Sequence, residues 1–180
     1  MRDRRRTYQA AATILLTAVL LTGCATYTPG PIVPPGDLHD VQSDGIAGVT
    51  VSVAMLTDEQ ASKHFGVNFR IHGLQALWIR VENRSPRRYW FIRNAVDRDF
   101  FSPDEAAQIL RQGAPRNSFE ALRQYLRDEA VRVQVQPDTL IEGYLYLPRV
   151  EGGRYVDLRL AADAYQAARH HPREYEDIAE

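Results

Sequence analysis

The hydrophobic pattern changes period several times along the chain. Residues 49–55 (VTVSVAM) set Val49, Val51, Val53 and Met55 against Thr50 and Ser52. That two-residue period predicts a half-buried strand. Residues 76–82 set Leu77, Ile79 and Val81 against Trp78, Arg80 and Glu82. Asn83-Arg84-Ser85-Pro86 then reads as a turn, and residues 88–93 (RYWFIR) as the partner strand of a hairpin. Further strands are predicted at 131–135, 139–147 and 155–160, with Gly152-Gly153 turning the chain between the last two. Three helices fall between strands, and their ends carry capping signals. Thr57 is followed three residues later by Gln60, and Gly66 closes that segment. Ser102-Pro103-Asp104-Glu105 is a capping box with Pro at the first helical position, and the segment ends at Gly113. Asn117 or Ser118 opens the third helix, whose apolar face carries Phe119, Leu122 and Leu126.

One apolar face per strand predicts two sheets packed face to face. The expected fold is mainly β, a small immunoglobulin-like β-sandwich with short helical insertions. The alternative is an α+β layer fold in which helices cover one sheet. A single globular β-rich domain is expected over residues 47–165, with a polar tail over 166–180 that is acidic at its end.

The N-terminus follows another pattern. Arg2, Arg4, Arg5 and Arg6 precede an apolar run over residues 10–21, broken only by two Thr. Basic start, short apolar centre and small-residue end are the three parts of a secretory signal, here residues 1–23. The run is too short for a committed membrane span. Arg5-Arg6 lacks the fuller twin-arginine pattern, so export of the unfolded chain is expected. The ending Leu21-Thr22-Gly23-Cys24 resembles the bacterial lipobox. That resemblance implies diacylglycerol on the Cys24 sulfur, cleavage before it and a further acyl chain on the freed amine. Two or three chains anchor a protein durably where one does not. By resemblance to characterised lipoproteins, Ala25 favours the outer membrane over retention at the inner one. Residues 24–46, with Pro29, Pro31, Pro34 and Pro35, read as the acylated Cys followed by an extended tether.

The centre carries a second resemblance. SKHFGVNF at 62–69 is followed by LQALWIRVENRSPRRYWFIRNAVDRDFFSPDEAA at 74–107. A phenylalanine-glycine pair, a strand ending in V-E-N-R, and an F-S-P-x-E-A helix start are similar to an uncharacterised group of proteobacterial envelope lipoproteins. Ile141-Glu142-Gly143-Tyr144-Leu145-Tyr146 resembles that group's glycine-containing aromatic strand. The resemblance implies one domain and brings no activity, substrate or catalytic residue.

Composition narrows the chemistry. The chain has 180 residues, one Cys and a formal net charge of −1. The leader holds four Arg and one Asp, so the remainder carries −4, which argues against nucleic-acid binding by bulk charge. One Cys allows no internal disulfide, and the lipobox reading spends that thiol on lipid. Of the five His (His39, His64, His72, His170 and His171), only the adjacent tail pair, with Glu174, suggests a surface chelate, and solvated tail residues explain them as well. No metal site and no cofactor are expected. Ser102 reads as a helix cap rather than a nucleophile. Asp97, Asp99, Asp104 and Glu105 read as helix-start and ion-pairing groups. With no nucleophile–base pair in view, the expectation is a non-enzymatic protein-interaction module, lipid-anchored and facing the periplasm. The alternative is a binding module for an anionic small molecule, lipid headgroup or glycan. Arg84, Arg87 and Arg88, beside Tyr89 and Trp90, are its possible anion or partner contacts.

Overall fold

The computed structural model describes residues 27–114, 118–152 and 156–162. Its frame is an antiparallel four-stranded sheet built from the alternating segments. Strand β1 (Gln42–Ile46) pairs with β2 (Val49–Met55), β2 with β3 (Leu74–Asn83), and β3 with β6 (Thr139–Pro148). A second antiparallel sheet has the order β5 (Gln134–Val135), β4 (Tyr89–Phe91), β7 (Leu160–Ala162). The described chain is mainly β, as the sequence predicts, with two antiparallel sheets compatible with a β-sandwich and not closed into a barrel.

The four-stranded sheet is covered on both faces. On one face Val49, Leu77, Ile79, Val81, Leu145 and Leu147 meet Phe91 and Val135 of the second sheet, together with Val96 and Val131. On the other, Ala54, Ala76, Trp78, Tyr144 and Tyr146 meet the helices. Helix α1 (Asp58–Phe65) contributes Ala61 and Phe65, α3 (Pro103–Leu110) contributes Ala106, Ala107 and Leu110, and α4 (Phe119–Glu129) contributes Leu122 and Leu126. A short helix α2 (Arg93–Val96) follows β4. Register explains how single residues sort. Ile79 lies opposite Val53 and Gly143, and Trp78 lies opposite Ala54 and Tyr144. Opposite residues share a face in an antiparallel sheet. Trp78 is therefore buried under the helices, not set on an outer face with Arg80 and Glu82 as alternation suggests.

Three expectations are corrected. The last strand is Leu160–Ala162 rather than 155–160, residues 156–159 being outside any strand. The hairpin of residues 76–82 with 88–93 does not form: β3 and β4 belong to different sheets. The chain changes sheet across residues 84–88, and the buried side chain of Asn83 organises the crossing. Its amide donates to the carbonyls of Arg87 (2.7 Å) and Gln136 (2.8 Å). Its carbonyl oxygen accepts from the backbone N–H and the hydroxyl of Ser85. Residues 27–46, expected within the tether, instead lie on the domain. Val33 and Leu38 are buried, Tyr27 donates to the Phe65 carbonyl, and Gly30 N–H donates to the His64 carbonyl. A Cβ at Gly30 would stand 1.7 Å from the Lys63 oxygen, so only glycine fits this crossing. Strand β1 then follows. Its residues QSDGI are all exposed and lack the apolar alternation that marks a strand in sequence.

The helix ends follow the capping signals. Thr57 with Gln60, and Ser102 with Glu105, form reciprocal boxes, and Gly66 closes α1 at φ 64°. Residues 111–113 continue α3 as a 3₁₀ turn to Gly113. The leader, Cys24, His170, His171 and the 166–180 tail lie outside the described residues.

Candidate functional site

The arginines of the sheet crossing are placed by the Asn83 network beneath them. Arg84 is exposed and paired with Glu82 at 2.7 Å. Arg88 donates to the Gln136 side-chain oxygen at 3.0 Å. Arg87 is exposed, and its backbone, rather than its guanidinium, takes part in the network. Trp90 is 41% exposed and pairs across from Gln134 and Ala161 in the second sheet. The three arginines share one connection, and two of them already hold acceptors of this chain.

The other sequence candidates fall into structural roles. The Ser102 hydroxyl donates to Glu105 Oε2 and accepts from the Glu105 N–H, as a cap does. The Ser102 hydroxyl and backbone N–H, both donating to Glu105 Oε2, hold the Glu105 carboxyl below its usual range. Arg127 does the same for Asp104, first through a side-chain hydrogen bond and then by its charge. The Asp97 carboxylate caps the Asp99 N–H. Among the described residues no group of three or more His, Cys, Asp or Glu is placed to hold a metal. No described helix is long and apolar enough to cross a membrane.

Sequence reasoning passed over His64, whose ring is fully buried. Its Nε2 lies 3.1 Å from Glu129 Oε2 and 3.4 Å from the Tyr125 hydroxyl, while its Nδ1 lies 3.4 Å from the Pro31 carbonyl. Phe65, Tyr125 and Tyr144 surround the ring at centroid distances of 4.5 to 5.7 Å. Tyr27 stands beside Tyr125. Burial drives the phenols upward: Tyr125 to about 12, with Glu129 adding to the shift, and Tyr27, Tyr144 and Tyr146 further. These phenols therefore stay protonated, and two of them donate at 2.7 Å, Tyr27 to the Phe65 carbonyl and Tyr146 to that of Leu126. The cluster ties the N-terminal segment to α1 and α4 and is part of the core.

The two edges of the four-stranded sheet differ. The outer side of β6 is covered at Tyr144 and Tyr146: Phe101 N–H bonds the Tyr146 carbonyl and Val131 N–H bonds the Tyr144 carbonyl. Among the described residues β1 pairs with β2 alone. The Gly45 N–H is turned to its neighbour Asp44 Oδ1 at 2.7 Å, and Ser43 and Ser52 face each other with hydroxyls 2.8 Å apart. Both observations mark Gly45 and Ser43 as the closer, non-hydrogen-bonded pairs of the β1–β2 ladder. Their backbone groups therefore point to the open side. Beside this edge runs a groove of about 550 Å³, floored by Val49, Val51 and Val53 and walled by Val156 and Leu158. Ile46 lies opposite Val49, on the same face, and is 83% exposed. Such an edge can take another strand, whose side chains would extend the valine face.

No protein-family model, curated protein or solved structure matches this chain.

Proposed function

We propose that this chain is a lipid-anchored cell-envelope protein that works by binding another protein. Cys24 carries the acyl chains, the outer membrane facing the periplasm is its location, and β1 is its docking edge. The LTGC ending of the apolar leader supports the anchor, as does the likeness to proteobacterial envelope lipoproteins in the V-E-N-R and F-S-P-x-E-A region. The open β1 edge beside an apolar groove carries the binding reading. It favours an extended segment of the partner with apolar side chains at alternate positions. Main-chain bonds to Ser43 and Gly45 would supply affinity, and the groove would select side chains.

Photo-cross-linking of the full-length protein in intact cells tests this. A cross-linker at Ile46 should give a discrete protein adduct. Ser43→Pro should abolish it while leaving the melting temperature nearly unchanged, because that N–H is not used by β2. No adduct, or one indifferent to Ser43→Pro, removes the docking edge. For the anchor, Cys24→Ser should end incorporation of labelled fatty acid, and continued labelling contradicts the lipobox.

A further inference from the structure

A second concavity lies away from β1, where the chain leaving α4 passes the start of β6. Its volume is about 670 Å³. That is ample for a small ligand. Arg93, Arg127 and Arg132 line it, and no Asp or Glu does. Val131, Leu140 and Ile141 form much of the apolar surface between them. The three arginines come from separate places in the sequence, so no run of basic residues announces the site. Glycine explains how they meet. A Cβ at Gly143 would stand 2.7 Å from the Val131 backbone, so Gly143 lets the segment after α4 lie across β6, which sets Arg132 at the groove.

The charges are not equally spent. Arg127 is held by Asp104 at 2.7 Å. Arg132 is exposed and has no acceptor among the described residues, and Arg93 rests its guanidinium over the Phe100 ring, 5.8 Å from the centroid, with no carboxylate partner there. Two free guanidiniums and a third held by one carboxylate favour an anion, and guanidinium suits phosphate and carboxylate oxygens. The apolar surface between them favours a ligand with a hydrocarbon part.

We propose that this groove binds an anionic amphiphile, one phosphate or carboxylate head on an apolar stem, with Arg93 and Arg132 contacting the head and Leu140 and Ile141 the stem. The proposal is independent of β1 docking. It also differs from a site at Arg84, Arg87 and Arg88, where two of the three guanidiniums already have acceptors of this chain.

The test titrates the full-length protein, held in phosphatidylcholine nanodiscs, with hexyl phosphate, inorganic phosphate and hexanol by calorimetry. Hexyl phosphate should bind more tightly than inorganic phosphate, and hexanol should not bind. Arg93→Gln and Arg132→Gln should each weaken hexyl phosphate by roughly tenfold, the scale of one charge-assisted hydrogen bond. Arg84→Gln should leave it unchanged, and all three variants should melt near the unmodified protein. Nanodiscs containing phosphatidylglycerol separate the sources. Competition with hexyl phosphate assigns the head to membrane lipid, and unchanged affinity assigns it to a soluble amphiphile; either keeps the site. No binding of hexyl phosphate, equal binding of hexanol, or indifference to both groove substitutions overturns it. Because β1 is not involved, a negative result here leaves the cross-linking from Ile46 untouched.

Discussion

Single residues fix this structure where backbone passes close to backbone or where a buried polar atom needs partners. Gly143 does the first. Gly143→Ala would drive a methyl into the Val131 backbone, and overpacking of this kind costs about 1–3 kcal/mol. Chemical denaturation should show that loss. Asn83 does the second. Asn83→Ala removes two donated and two accepted hydrogen bonds, takes the acceptor from the buried Ser85 N–H, and leaves the Gln136 and Arg87 carbonyls only the Thr139 and Ser85 hydroxyls. A buried N–H left without an acceptor costs roughly 1–3 kcal/mol, so the variant should lose more than an exposed substitution such as Arg84→Ala. Asn83→Asp should not rescue it, because a carboxylate cannot donate to those carbonyls. Both residues stand in the sequence segments V-E-N-R and I-E-G-Y. Their structural duties account for those residue types there, with no ligand required. His64 was harder to read. Its sequence neighbours Lys63 and Phe65 say nothing of Glu129 or Tyr125, which reach it from α4 some sixty residues later.

Elements were legible where local chemistry alone sets them. Reciprocal boxes start α1 and α3 because the Ser or Thr hydroxyl and the Gln or Glu three residues on complete their bonds within one turn. Alternation located β2, β3 and β6, which lie where one face is plainly apolar. It failed for β1, whose side chains are all exposed, and for the pairing of β4, whose partners β5 and β7 lie more than forty residues further along the chain. The two-faced burial of β3 was concealed because Trp78 looked like the outer partner of Arg80. The assignment gives a contrast within one strand. Ile79 is fully buried, so Ile79→Ala should cost roughly 2–5 kcal/mol. Arg80, whose guanidinium reaches Glu142 only at 4.0 Å, should tolerate Ala at about 0–1 kcal/mol. Equal melting shifts for the two would mean that the strand's register is wrong.

The whole molecule responds to pH through groups concentrated on one side of the sheet. Tyr27, Tyr125, Tyr144 and Tyr146 are all raised, chiefly by burial. A group raised in the fold binds its proton more tightly there than in the unfolded chain. Its contribution is complete below pH 10 and is lost as pH rises past it, for Tyr125 through about 12. Stability should therefore decline above pH 10. Ultraviolet titration should show these phenols ionising late and together with unfolding. Asp104 and Glu105 act in the opposite direction. Lowered in the fold, they stabilise above the ordinary carboxylate range, and that contribution fades as pH falls through their folded values.

The same view of the molecule contrasts a covered β6 edge with an open β1 edge, and the proposed binding role rests on that contrast. Amide hydrogen exchange of the full-length protein addresses it directly, comparing native envelope vesicles with protein purified in neutral detergent. In detergent, the Ser43 and Gly45 amides should exchange quickly, since β2 does not use them and Gly45 bonds only the exposed side chain of its neighbour Asp44. In the envelope, both should become strongly protected while the amides of β3, already paired on both sides, stay as they were. Equal, rapid exchange of Ser43 and Gly45 in the two settings would contradict docking at this edge.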